Sequence, residues 1–160
     1  MALKAARVII ETDINYLGQS VATRGCGFCV QNAGSGVAQG DSAGNAYLAS
    51  SPSGLQVAGL LMNDIVNVDL TRYHLNFHKD EIQLGNRISL LRKGRVTTDQ
   101  IYPGVTPTDG KIAYLEASGL FTPTISPNGG IVASPMVGRF RSSKDESGFA
   151  TIDFNLPMSV

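Results

Sequence analysis

The sequence predicts a mainly β protein: a single β-barrel or β-sandwich domain spanning residues 1–160, with long irregular loops and little helix. Three observations carry this. Short runs of apolar and β-branched residues recur along the chain, each bounded by turn residues. Eighteen glycines and seven prolines in 160 residues supply the turns. The last run alternates: Ala150, Ile152, Phe154 and Leu156 interleave with Phe149, Thr151, Asp153 and Asn155. One face is then buried and the other mostly wet.

The elements follow in order. "ARVIIET" (6–12) reads as a first strand and "CGFCVQ" (26–31) as a second. Residues 32–54 are rich in Gly, Ser, Ala and Asn and read as mostly loop, broken only by "NAYLA". "LQVAGLLM" (55–62) and "DIVNVDL" (64–70) are further strands. Helix has room only around 71–84, where the pattern is ambiguous. "RISLLRK" (87–93), Gly94 and "RVTTDQI" (95–101) read as a hairpin with Gly94 at its turn. "PGVTPTDGK" is a turn built on two prolines and Asp109-Gly110. "IAYLEA" and "LFTPTI" flank Ser118-Gly119, and "SPNGG" (126–130) is another turn. The chain closes with a hairpin over 137–157, whose polar tip is "SKDESG". Its alternation puts Phe140 opposite Ile152 or Phe154.

Composition narrows the function. Lys+Arg and Asp+Glu both number 13, so the net charge is zero. That argues against a nucleic-acid binder, which carries a basic footprint. The longest apolar window, Val57–Met62, is far too short to span a membrane. The first residues, "MALKAARVIIETD", meet acidic residues too early for a signal peptide, so synthesis in the cytoplasm is expected. A neutral surface is poorly protected against association and suits a component of an assembly.

Several motifs invite chemistry. Gly40-Asp41-Ser42-Ala43-Gly44 fits G-x-S-x-G, and Asp64, Asp69, His74 and His78 follow in the order of an α/β-hydrolase. The elbow needs a strand before Ser42 and a helix after it, and neither flank fits. A loop is the expected reading, with a serine hydrolase as the rival. Cys26 and Cys29 form a C-x-x-C pair. With His74 and His78 they make an acceptable Cys₂His₂ zinc set, although 44 residues separate the two pairs. In a strand, residues three apart face opposite sides, which favours buried thiols over a metal or a redox pair. No cofactor and no metal are expected. Of the adjacent carboxylates Asp80-Glu81 and Asp145-Glu146, the second pair lies in the hairpin tip and reads as a solvated turn, and neighbours in a strand point apart, which suits no acid/base pair. Arg87, Arg92, Lys93 and Arg95 bracket the expected hairpin tip. They read either as edge protection or as contacts to an acidic partner. No aromatic residues are interleaved among them for base stacking.

Four stretches resemble the capsid decoration, or cement, proteins of tailed bacteriophages: "GLLMNDIVNVDLT" (59–71), "LLRKGRVTTDQI" (90–101), "AYLEASGLFT" (113–122) and "VGRFRSSKDESGFATIDFNL" (137–156). The resemblance covers about residues 55–157. It implies a non-enzymatic protein on the outside of the phage head, partnered by the major capsid protein and by itself, as a homotrimer or a dimer. It transfers no catalytic residue. On this reading the N-terminal segment 1–12, with Lys4, Arg7, Val8, Ile9 and Ile10, has two alternatives. It is a capsid-binding arm that adds as a strand to a neighbouring sheet, or it is the domain's own first strand. Arg92, Lys93 and Arg95 are the partner-contact candidates. A zinc-stabilised binding module and a phage tail or receptor-binding protein stand as alternatives.

Overall fold

The computed structural model describes residues 3–31, 44–67, 71, 80–125 and 134–156. It is mainly β, as the alternation and turn density require. The strands are β1 (Val8–Gly18), β2 (Gly27–Gln31), β3 (Gly44–Tyr47), β4 (Val57–Leu61), β5 (Asp64–Val66), β6 (Glu81–Gln83), β7 (Arg87–Thr98), β8 (Ile112–Leu115), β9 (Phe121–Thr122), β10 (Met136–Phe140) and β11 (Ala150–Asn155). Among the described residues there is no α-helix, only a 3-10 turn at Ala117–Gly119.

Five strands pair in a closed ring. β1 runs parallel to β3; β3 pairs antiparallel with β2, β2 with β4, β4 with β7, and β7 with β1 again. These strands feed one core, in which Phe28, Ala46, Ala58, Leu61, Ile88 and Leu90 are buried beside Ile65 of β5. From the far half of β7 the sheet continues through β11, β10, β8 and β9. A second core holds Leu60 and Leu91 together with Val96, Leu115, Phe121, Phe140, Ile152 and Phe154. Neighbours in β4 and β7 therefore point into different cores: Leu61 and Leu90 into the first, Leu60 and Leu91 into the second. Strands buried on both faces read as continuous apolar runs, and "GLLM" and "SLL" are such runs.

The closing hairpin has the expected register. Phe140 lies opposite Ile152, and both are fully buried, as is Phe154. Phe154 meets the edge of Phe121 at 6.1 Å between ring centres. Asp145 organises the tip: its carboxylate accepts the backbone N–H groups of Ser147 and Phe149. The Asp109-Gly110 turn also forms, with Lys111 N–H donating to the Thr108 carbonyl.

One expectation needs correction, and two segments left open in the sequence are resolved in part. Residues 87–101 are not a hairpin. β7 passes straight through Gly94, with Lys93, Gly94 and Arg95 paired in sequence to Asn155, Phe154 and Asp153 of β11. The shortest common hairpin connection takes two residues, so one glycine does not reverse the chain here. Within the expected loop 32–54, Gly44–Tyr47 is a strand, fixed between β1 and β2; residues 32–43 lie outside the described residues. Within the ambiguous segment 71–84, Glu81–Gln83 is a strand parallel to β5, and residues 72–79 lie outside the described residues.

Candidate docking site

Two groups of residues singled out in the sequence meet at one place. The first is the start of β1. Val8 and Ile9 pair in antiparallel register with Arg95 and Gly94 of β7. Leu3 is 2% exposed and bridges Thr98. Lys4 donates to Asp145 at 2.7 Å and lies over the Phe149 ring. Of the two alternatives for this segment, the chain's own fold provides the first strand, anchored at Leu3.

That strand is nevertheless barely covered. Val8, Ile9, Ile10 and Ile14 are 54%, 48%, 65% and 57% exposed. β3 covers the outer edge of β1 only from Tyr16 to Gly18. Among the described residues, no strand pairs with that edge from Val8 to Asn15. The register against β7 slips between Ile9 and Glu11, between Glu11 and Thr12, and between Asp13 and Tyr16. Such bulges sharpen twist and are common on edge strands.

The second group is the basic cluster, which the continuous β7 splits. Arg92 is half-buried and pairs with Asp13 at 3.7 Å. Lys93 and Arg95 point to the other side and line a hollow of about 350 Å³ together with Val8, Ile10, Gly94, Asp153, Phe154 and Asn155. Arg95 grips both carboxylate oxygens of Asp153, at 2.6 and 3.2 Å. Arg141 approaches the same carboxylate at 3.2 Å. The side-chain hydrogen bond from Arg95, ahead of the opposing effect of burial, holds the Asp153 carboxyl below the usual range. Lys93 has no ion pair among the described residues; Glu11 is its register partner on β1. Arg87 lies at the start of β7, opposite Leu17, away from this hollow.

Gly94 makes the hollow. A Cβ there would overlap the Val8 carbonyl oxygen. The glycine lets β1 lie against β7 and leaves the floor without a side chain. Asp153, Asn155 and Gly94 were not singled out in the sequence as site residues. An isolated glycine inside an otherwise regular strand pattern is the one signal that marks such a close approach.

The other motifs are placed as follows. Ser42, Asp69, His74 and His78 lie outside the described residues. Gly44, the end of the G-x-S-x-G pattern, opens strand β3 where an elbow needs a helix. Asp64 receives the Arg24 backbone N–H at 2.7 Å and its guanidinium at 3.4 Å, which makes it a loop anchor. Asp80 stands at a φ of 53° with its side chain largely exposed, next to Glu81 of β6. Cys26 and Cys29 are both free and belong to different cores. Burial, aided at Cys26 by Asp99 and Asp64, pushes each thiol up to about 11, so both are neutral at pH 7. Among the described residues, no helix is long and apolar enough to cross a membrane.

No family model matches the chain, and no curated protein matches it.

Proposed function

We propose that the chain is a structural binding protein of a tailed-phage head, a decoration or cement protein on the outer surface of the assembled shell, made in the host cytoplasm and without enzymatic activity. The observation that carries the reading is the start of β1. Four large aliphatic side chains stand about half exposed or more on a strand whose outer edge, from Val8 to Asn15, pairs with no strand among the described residues. Exposed apolar clusters rimmed by polar groups mark interaction surfaces, and an open edge offers main-chain hydrogen bonds to an added strand. The resemblance of residues 55–157 to decoration proteins names the partner as the major capsid protein, with the protein itself as a trimer or dimer. Stabilisation is by mass action: a protein that binds only the assembled lattice favours it in proportion to affinity and free concentration. Many weak contacts then add over one shell.

The test uses DNA-filled heads of the source phage, purified by density gradient. The chain is expected in stoichiometric amount, and Val8→Thr/Ile10→Thr is expected to fold normally yet leave the heads bare. Heads lacking the wild-type chain overturn the reading. Full occupancy by the double variant removes β1 from it.

A further inference from the structure

We infer that the hollow between β1, β7 and β11 receives an acidic side chain, flanked by an aliphatic one, from a partner protein's surface. This rests on the docking reading above and names the chemistry of its partner.

The floor is aliphatic and open: Val8 and Ile10 on one side, the bare backbone of Gly94 below. The rim is charged. Arg95 and Arg141 share Asp153, and Lys93 faces Glu11 in register without forming an ion pair. Arg141 also reaches Asp109, at 3.9 Å; of the charged side chains that line the hollow itself, Lys93 and Arg95 stand against Asp153, and Lys93, beside the apolar floor, is the one without an ion pair among the described residues. A lone ammonium next to aliphatic surface selects a ligand carrying one carboxylate and one aliphatic group. A basic partner is repelled by the cation excess, and so is a second copy presenting the same face. A phosphate backbone is disfavoured because Asp153 lines the same hollow and Glu11 faces Lys93 in register. The hollow is wide enough for a pair of side chains. Asn155 adds an amide that hydrogen-bonds either a carboxylate or a partner main chain.

The experiment is an NMR titration of the isotopically labelled full chain with three capped tripeptides: Leu-Glu-Leu, Leu-Gln-Leu and Leu-Lys-Leu. The acidic peptide is expected to give saturable shifts at residues 8–10, 93–95 and 153–155. The Gln peptide should bind about tenfold more weakly, and the Lys peptide should not bind at these residues. Lys93→Met, whose melting temperature serves as the fold control, should weaken the acidic peptide by about tenfold. Equal binding of the acidic and Gln peptides, no saturable shift, or an unchanged Lys93→Met overturns the pocket. The two readings fail separately. A wild-type chain that binds the peptide but is absent from heads defeats the capsid reading alone. A chain that coats heads, with Lys93→Glu coating them equally, defeats the pocket alone.

Discussion

Truncating Phe154 to alanine is the sharpest probe of the second core. The ring is 1% exposed. Its register partners on either side are both glycine, Gly138 on β10 and Gly94 on β7. Neither neighbour has a side chain to move into the space vacated. Burying a Phe side chain is worth about 1.5–3 kcal/mol. The edge-on contact with Phe121 adds about 0.5–1.5 kcal/mol. A cavity that does not collapse adds more, so Phe154→Ala should fall in the upper half of the ~3–5 kcal/mol range for buried aromatic truncation. For a chain of this size that is a drop in melting temperature on the order of 10 °C. Urea unfolding followed by far-UV circular dichroism measures it, with an unchanged denaturant slope as the control on two-state behaviour. Asn155→Ala, the exposed next residue, should stay within about 0.5 kcal/mol of wild type. A loss below about 1 kcal/mol at Phe154, or a larger loss at Asn155, would refute the register of β11.

Gly94→Ala should cost about 1–3 kcal/mol, because its methyl displaces β1 from β7; the amide exchange of Val8 and Ile9 should rise with it. Deleting residues 2–10 removes the buried Leu3 and the Lys4–Asp145 pair as well as the start of β1, so the truncated chain should lose cooperative thermal unfolding; a normal transition would show that this strand is dispensable. The Asp145 carboxyl is held below the usual range, first by the Lys4 hydrogen bond and then by the Phe149 N–H. A depressed folded value means that the stabilisation is present above the unfolded carboxylate range and fades as pH falls through the folded value. Asp145→Asn should therefore narrow the gap in urea midpoint between pH 7 and pH 3, and an unchanged gap would contradict the contact. Cys26 and Cys29, both buried and held neutral, should resist iodoacetamide at pH 7.5 in the native state and react only on unfolding; fast native alkylation would place a thiol at the surface.

What the sequence made legible was local, and what it hid was the pairing of distant segments. The alternation in β11 is written in eight consecutive residues, and it narrowed the register against β10 to Ile152 or Phe154 opposite Phe140. The opposite placement of Cys26 and Cys29 needed only the two-residue period of a strand. Gly94 is the contrary case. Among its neighbours it stands between two basic residues and two apolar runs, which is how a turn looks from inside the sequence. Its actual constraint comes from Val8, more than eighty positions away, whose carbonyl occupies the space a side chain would need. The ion pairs of the basic cluster were hidden for the same reason. Arg92 and Arg95 are balanced by Asp13 and Asp153, residues on two other strands that no local pattern connects to them. Of the three, Lys93 alone has no ion pair among the described residues, and it lies beside Val8 and Ile10 of β1. Charge density in the sequence therefore marked the segment, while the ion pairs of Arg92 and Arg95 are visible only in the sheet.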